Sequence, residues 1–164
     1  MTFSAVLTAL CALGSATVGG IFYAFSTFVL PGLGRLPPSG GVAAMQQVNV
    51  TAVRPGLMSV LFGTAALCLA AAIWALASGE ARRNPALLIG ALLYLVGGVG
   101  VTVAYNVPLN NALVALPADT SSAAGWADFL HRWAAGNHVR TITCLGAAVA
   151  FLVALREHWA GGND

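Results

Sequence analysis

No charged side chain occurs between Met1 and Gly34. That run is longer than the roughly 20 apolar residues a helix needs to cross the hydrocarbon core of a bilayer, and further apolar runs follow it. Hydrophobic residues make up 59% of the chain and charged residues 7%, against about 25% charged in a soluble domain. Water would not solvate such a chain once it folded. The sequence therefore predicts an all-α fold, a polytopic membrane four-helix bundle with residues 1–164 forming a single transmembrane domain. The start, "MTFSAVLTAL", lacks a basic segment, and its apolar run exceeds the core of a signal peptide. It is expected to be a retained first span.

The spans are expected at about residues 2–30, 55–77, 86–105 and 134–156. Pro31 and Gly32 should end the first, Pro55 suits the first turn of the second, and "SGEARRNP" is a short turn. The last span has to carry Asn137, His138 and Arg140 in its first turns, because only Thr141 to Leu155 is free of charge. Short amphipathic helices are expected in the two longer connections. One is "GVAAMQQVNVTAVR", amphipathic or re-entrant; the other is "DTSSAAGWADFLHRWAAGNHVR", with an N-cap between Asp119 or Thr120 and Ser122. Four spans put both termini and the Arg82/Arg83 turn on one side. The positive-inside rule, weighted to that turn and Arg156 over Arg35, Arg54, Arg132 and Arg140 opposite, makes it cytoplasmic. Small residues at Gly14, Ser15, Gly19, Gly20, Gly97, Gly98 and Gly100 allow close helix packing and self-association to a homo-oligomer.

Polar residues gather at the other end: Asn49, Arg54, Asn106, Asn110, Asn137 and Arg140. On a continuous helix, Trp126, Leu130, Trp133, Asn137, Arg140 and Cys144 follow one another at spacings of 4, 3, 4, 3 and 4 and form one stripe. Pro108 removes a donor and disfavours helix at Val107, so carbonyls near Ala104 should be freed for Asn106 and Asn110. Arginine at membrane depth costs on the order of 2.5 kcal/mol or more, and Asp119 and Asp128 are the only carboxylates at that end. Surplus positive potential suits an anion, or a molecule that becomes one during reaction. Each feature has a plainer explanation. Asparagines glue helices together, arginines snorkel to headgroups, Trp126 and Trp133 suit an interfacial belt, and "FYAFSTF" suits helix packing. Their gathering at one end favours a site. His131 and His138 lie on another flank, and no spacing of ligand residues predicts a metal site. Cys11, Cys68 and Cys144 are isolated in apolar runs. A net charge of +2 without a basic patch argues against nucleic acid as a partner; membrane lipid and a lipophilic small molecule are the expected ones.

"YNVPLNNAL" (Tyr105 to Leu113) resembles the Asn-x-Pro-Leu-Asn signature of the anthrone oxygenase-like family of small four-helix membrane proteins. "GGIFYAFSTFVLPGL" resembles its first helix, "AMQQVN" the segment after it, and "WADFLHRWAAGNHVRT" its Trp-x6-Trp-x3-Asn-x2-Arg-Thr pattern. The resemblance implies oxidation of an anthrone by O2 as co-substrate to an anthraquinone, with no bound cofactor. On that basis Arg140 and Arg54 stabilise the substrate enolate. Asn106, Asn110, Asn137 and Asn49 orient its oxygens. Trp133 and Phe25 stack on its rings, beside Trp126 and Tyr105, and His138 is a candidate base. Two alternatives stand beside this one: a non-catalytic membrane binder of, or accessory subunit for, a lipophilic quinone or phenol, and a haem- or metal-dependent membrane redox protein using His131 and His138.

Overall fold

The computed structural model describes residues 2–117 and 122–160. It contains helices and, among the described residues, no strand. The helices are α1 (Phe3–Leu33), α2 (Pro38–Ala52), α3 (Pro55–Ala77), α4 (Glu80–Arg83), α5 (Pro85–Val114) and α6 (Ala123–Ala160). Four of them, α1, α3, α5 and α6, are long and apolar enough to cross a membrane, which makes the chain a multi-pass helical bundle. Proline opens α2, α3 and α5, where its missing N–H costs nothing. Gly79 sits at φ 74° just past the end of α3, a conformation that favours glycine.

Two helices run further than expected. Pro31 does not end α1, and Pro108 does not end α5. The backbone widens to π-type hydrogen bonding over Phe25–Val29 and Thr102–Asn106, immediately before each proline. The Leu30 N–H reaches the Phe25 carbonyl and the Val107 N–H reaches the Thr102 carbonyl, five residues back. The extra residue per turn makes room for the proline ring without breaking the helix. The expected freeing of carbonyls near Ala104 therefore takes the form of a widened turn. In the second long connection, the expected helix is present as the first turns of α6, which starts at Ala123 and not near Ala134. The Ser122 hydroxyl caps it by accepting from the Gly125 N–H at 3.0 Å. Asp119 and Thr120 lie outside the described residues.

α6 packs most extensively on α1 and also runs along α5, while α3 closes the ring between α1 and α5. Close approach depends on glycine at several contacts. Gly19 faces Leu145, Gly90 lies under Phe151, Gly97 faces Thr143, and a side chain at Gly98 would meet Cys144 Sγ at 2.8 Å. Gly20 and Gly100 have no such neighbour. Gly97→Val is expected to cost about 1–3 kcal/mol by overpacking the α5–α6 seam, readable as a lower unfolding midpoint in lipid.

The bundle has two apolar centres. The larger runs through mid-membrane around Cys11, Cys68, Tyr94, Cys144 and Phe151, where the Tyr94 hydroxyl donates to the Leu61 carbonyl at 3.0 Å. The smaller lies at the polar end, where α2 packs Val42 and Met45 against Leu30, Leu113, Trp126, Phe129 and Trp133. Gln46 Nε2 pins α2 to α5 by donating to the Leu113 and Leu116 carbonyls, each at 2.9 Å. Between these two centres lies the site.

Candidate functional site

Arg140 is 5% exposed, so it does not snorkel to the surface. Its guanidinium lies 4.2 Å from the Phe22 ring centroid and 5.0 Å from that of Trp133. Both ring faces attract a cation. Nη2 donates to Asn137 Oδ1 at 2.7 Å and Nη1 to Thr102 Oγ1 at 3.3 Å. These partners are neutral. The ion pairs among the described residues are Arg83–Glu80 and Arg132–Asp128, elsewhere on the molecule. Arg140 is thus a buried cation held by amide, hydroxyl and π faces, with no carboxylate among the described residues to neutralise it.

Asn137, one turn before Arg140 on the same stripe, is fully buried. Its Nδ2 donates at 2.7 Å to both the Phe22 carbonyl and Ser26 Oγ, just where α1 widens. It therefore fixes α6 to α1 and orients the guanidinium at once. Thr102, at the start of the widened turn of α5, donates to the Gly98 carbonyl at 2.7 Å and turns its lone pair to Arg140. Trp133 Nε1 donates to Asn110 Oδ1 at 2.7 Å, and the Trp133 ring lies 5.8 Å from Phe25 at 47°.

These groups wall a cavity of about 160 Å³ whose lining includes Phe22, Phe25, Asn49, Asn110, Trp133 and Arg140. No acidic side chain lines it. Two polar atoms of its lining residues, Asn49 Nδ2 and Arg140 Nε, are buried without a hydrogen-bond partner, and both are donors. The lining thus combines apolar surface with one cation, and its unpartnered N–H groups lie just beneath that surface. An open groove of about 580 Å³ adjoins it, sharing Phe25, Val48, Ala52 and Leu57, and Arg54 lies there.

The structure brings together Arg140, Asn110, Asn49, Trp133 and Phe25, with Asn137 directly behind Arg140. Other candidates stand apart. Asn106 is buried against Gly136 and donates to the Trp133 carbonyl at 3.1 Å, joining α5 to α6. Arg54 reaches the outer groove but not the Arg140 cavity. Trp126 stacks on Phe129 with centroids 5.5 Å apart and backs onto Gly41 under α2. Tyr105 faces outward across Gly136 and Val139. His131 and His138 are both exposed on the other flank of α6. Among the described residues no group of three His, Cys, Asp or Glu side chains is arranged to hold a metal ion. His138→Ala is expected to change stability by no more than about 0.5 kcal/mol, as for most surface substitutions, readable as an unchanged unfolding midpoint.

Phe22, Ser26, Thr102, Met45 and Met58 belong to the site or its support but were not legible as such. Each reads as ordinary helix interior. The hint for Ser26 was a hydroxyl inside an aromatic run, and for Thr102 a hydroxyl one turn above Asn106.

The anthrone oxygenase family model matches residues 56–150, more than half of the chain. No curated protein and no solved structure matches it. The matched segment runs from α3 to the middle of α6 and includes Thr102, Asn106, Asn110, Trp133, Asn137 and Arg140; Phe25, Asn49 and Arg54 precede it. On that match, the chain belongs to the anthrone oxygenase family.

Proposed function

We propose that this protein is a membrane-embedded oxygenase-like enzyme that oxidises an anthrone-type polycyclic phenol with O2 to the quinone, without a tightly bound cofactor. The observation that carries this reading is the buried Arg140 guanidinium, unpaired with any carboxylate, in an aromatic cavity whose unpartnered polar atoms are donors.

The chemistry needs little more than that. An anthrone has a CH2 group opposite its carbonyl. Loss of one of its protons gives an enolate with negative charge on oxygen. That anion passes one electron to O2, and the two radicals join at the former CH2 carbon to give a hydroperoxide. Loss of water leaves the second carbonyl. The sum is anthrone plus O2 giving anthraquinone plus H2O. Arg140 and Asn49 hold the enolate oxygen, Asn110 fixes Trp133, and Trp133 and Phe25 flank the rings and exclude water. One preorganised donor to an oxyanion is worth about 3–4 kcal/mol, enough to acidify the bound substrate by two to three units. With His138 on the outside, the proton leaves to water. The cavity is smaller than the roughly 300–1,000 Å³ of drug-sized sites, so it widens around the tricycle, and Arg54 in the adjoining groove adds positive potential from outside. Both termini lie on the cytoplasmic side in this reading.

The test is O2 uptake by the purified protein in lipid, supplied with an anthrone and corrected for spontaneous oxidation. One quinone formed per O2 consumed is expected, at a rate proportional to protein. Binding without uptake above the spontaneous rate would make the chain a carrier of lipophilic quinones or phenols instead.

A further inference from the structure

The cavity has a side mouth. α3 packs chiefly along Pro85–Gly100 of α5 and falls away from it beyond that point. α3 has 23 residues, while the other three spanning helices have 30 or more, yet its length still reaches about the level of Val107. The two helices therefore diverge, which leaves the bundle wall incomplete beside Thr102–Val107, and α2 closes the cavity from the polar end with Met45, Val48 and Asn49.

Four residues line the cavity and are also open to the outside: Val53 in the turn before α3 at 69% exposed, Phe62 of α3 at 49%, and Val103 and Val107 of α5 at 55% and 39%. Residues of both kinds mark the rim of an opening. This rim is apolar, and Phe62 lies about 10 Å along α3 from Pro55, within a hydrocarbon core about 30 Å thick. The outer groove differs, since Gln47, Thr51 and Arg54 line it. The three valines are stiff; Phe62 is the rim residue that can swing aside.

We propose that the substrate reaches Arg140 sideways, out of the bilayer, through the slot between α3 and α5, and that Phe62 determines what passes. This rests on reading the Arg140 cavity as the substrate site, though not on the oxidation step. It also narrows the ligand class. A molecule entering an apolar slot must be flat or narrow and carry few oxygens, one of which leads toward Arg140 and Asn49. Polyphenols with hydroxyls around their whole perimeter are excluded, because each would lose its water at the rim without gaining a partner.

The experiment measures arrival rather than turnover. The chain is placed in lipid nanodiscs and mixed with vesicles carrying 9,10-anthraquinone, and the quenching of Trp133 fluorescence is followed against a Trp133→Phe baseline. Phe62→Cys and, at the outer groove, Gln47→Cys are each labelled after folding with a pyrenyl maleimide. The native cysteines are fully buried, and wild type treated in parallel controls for them. The label at position 62 is expected to slow arrival by at least about tenfold, within the range over which association rates vary among variants, and the label at position 47 to leave it unchanged. Normal arrival with position 62 labelled, or slowing only from position 47, overturns the route while leaving the cavity as the substrate site. No Trp133-dependent quenching in any form overturns the cavity assignment along with the route.

Discussion

Replacing Arg140 by alanine is expected to cut O2-dependent turnover by about a hundredfold or more, the usual cost of losing an oxyanion donor, while the bundle still assembles. No other charged side chain lines the cavity, so nothing nearby takes over its charge. Stability responds to two opposed terms. A buried arginine costs about 2.5–3.5 kcal/mol at membrane depth, and its removal recovers that. Asn137 Oδ1 then loses its donor, at about 1–3 kcal/mol. The terms are of similar size, so the unfolding midpoint should stay close to wild type. Arg140→Lys keeps the charge but loses the planar group that lies over Phe22 and Trp133. It should recover only part of the rate. Collapse of the alanine variant, or full activity in it, would each contradict the role assigned to this side chain.

Asn137→Ala should do what Arg140→Ala does not. Asn137 donates to the Phe22 carbonyl and Ser26 Oγ across the α1–α6 seam, and it accepts from Arg140. Alanine abandons all three. A loss of about 2–3 kcal/mol is expected, on the scale of buried groups left unpaired. Turnover should also fall, because Arg140 keeps only its 3.3 Å contact with Thr102 and the ring faces to hold it. Thermal unfolding and initial rates on the same preparation separate the two effects. Asn137→Ser, short but still a donor, should recover more stability than activity.

The membrane bundle was legible because hydrocarbon imposes long apolar helices whatever else the chain does. The stripe ending in Asn137 and Arg140 was legible for a related reason. Its 4-3-4-3-4 spacing repeats on a continuous helix, and α6 is continuous. The prolines misled because their cost is local while its relief is not. One added residue per turn before Pro31 and Pro108 keeps α1 and α5 whole, and nothing in the local sequence records a widened turn. The start of α6 was misplaced for another reason: Asp128, His131 and Arg132 look unfit for a spanning helix, yet at a water-facing end they only extend it. Arg54 and His138 were grouped with Arg140 by position along the chain and by likeness to a family. Neither observation fixes where around the helix axis, or in which opening, a side chain lands. The gap beside Phe62 could not be read at all, since it follows from the divergence of two packed helices.

At the centre of this account is a cavity that favours negative charge on a bound aromatic. Ionisation of the bound substrate reports on that directly. An anthrone, held anaerobically with the protein in nanodiscs, is titrated by its visible absorption, because the enolate and the keto form absorb differently. In wild type the midpoint should fall about two to three units below that in protein-free nanodiscs, matching one strong donor to the oxyanion, and the shift should disappear in Arg140→Ala. A midpoint equal to that in lipid alone, or an equal shift in Arg140→Ala, would contradict it.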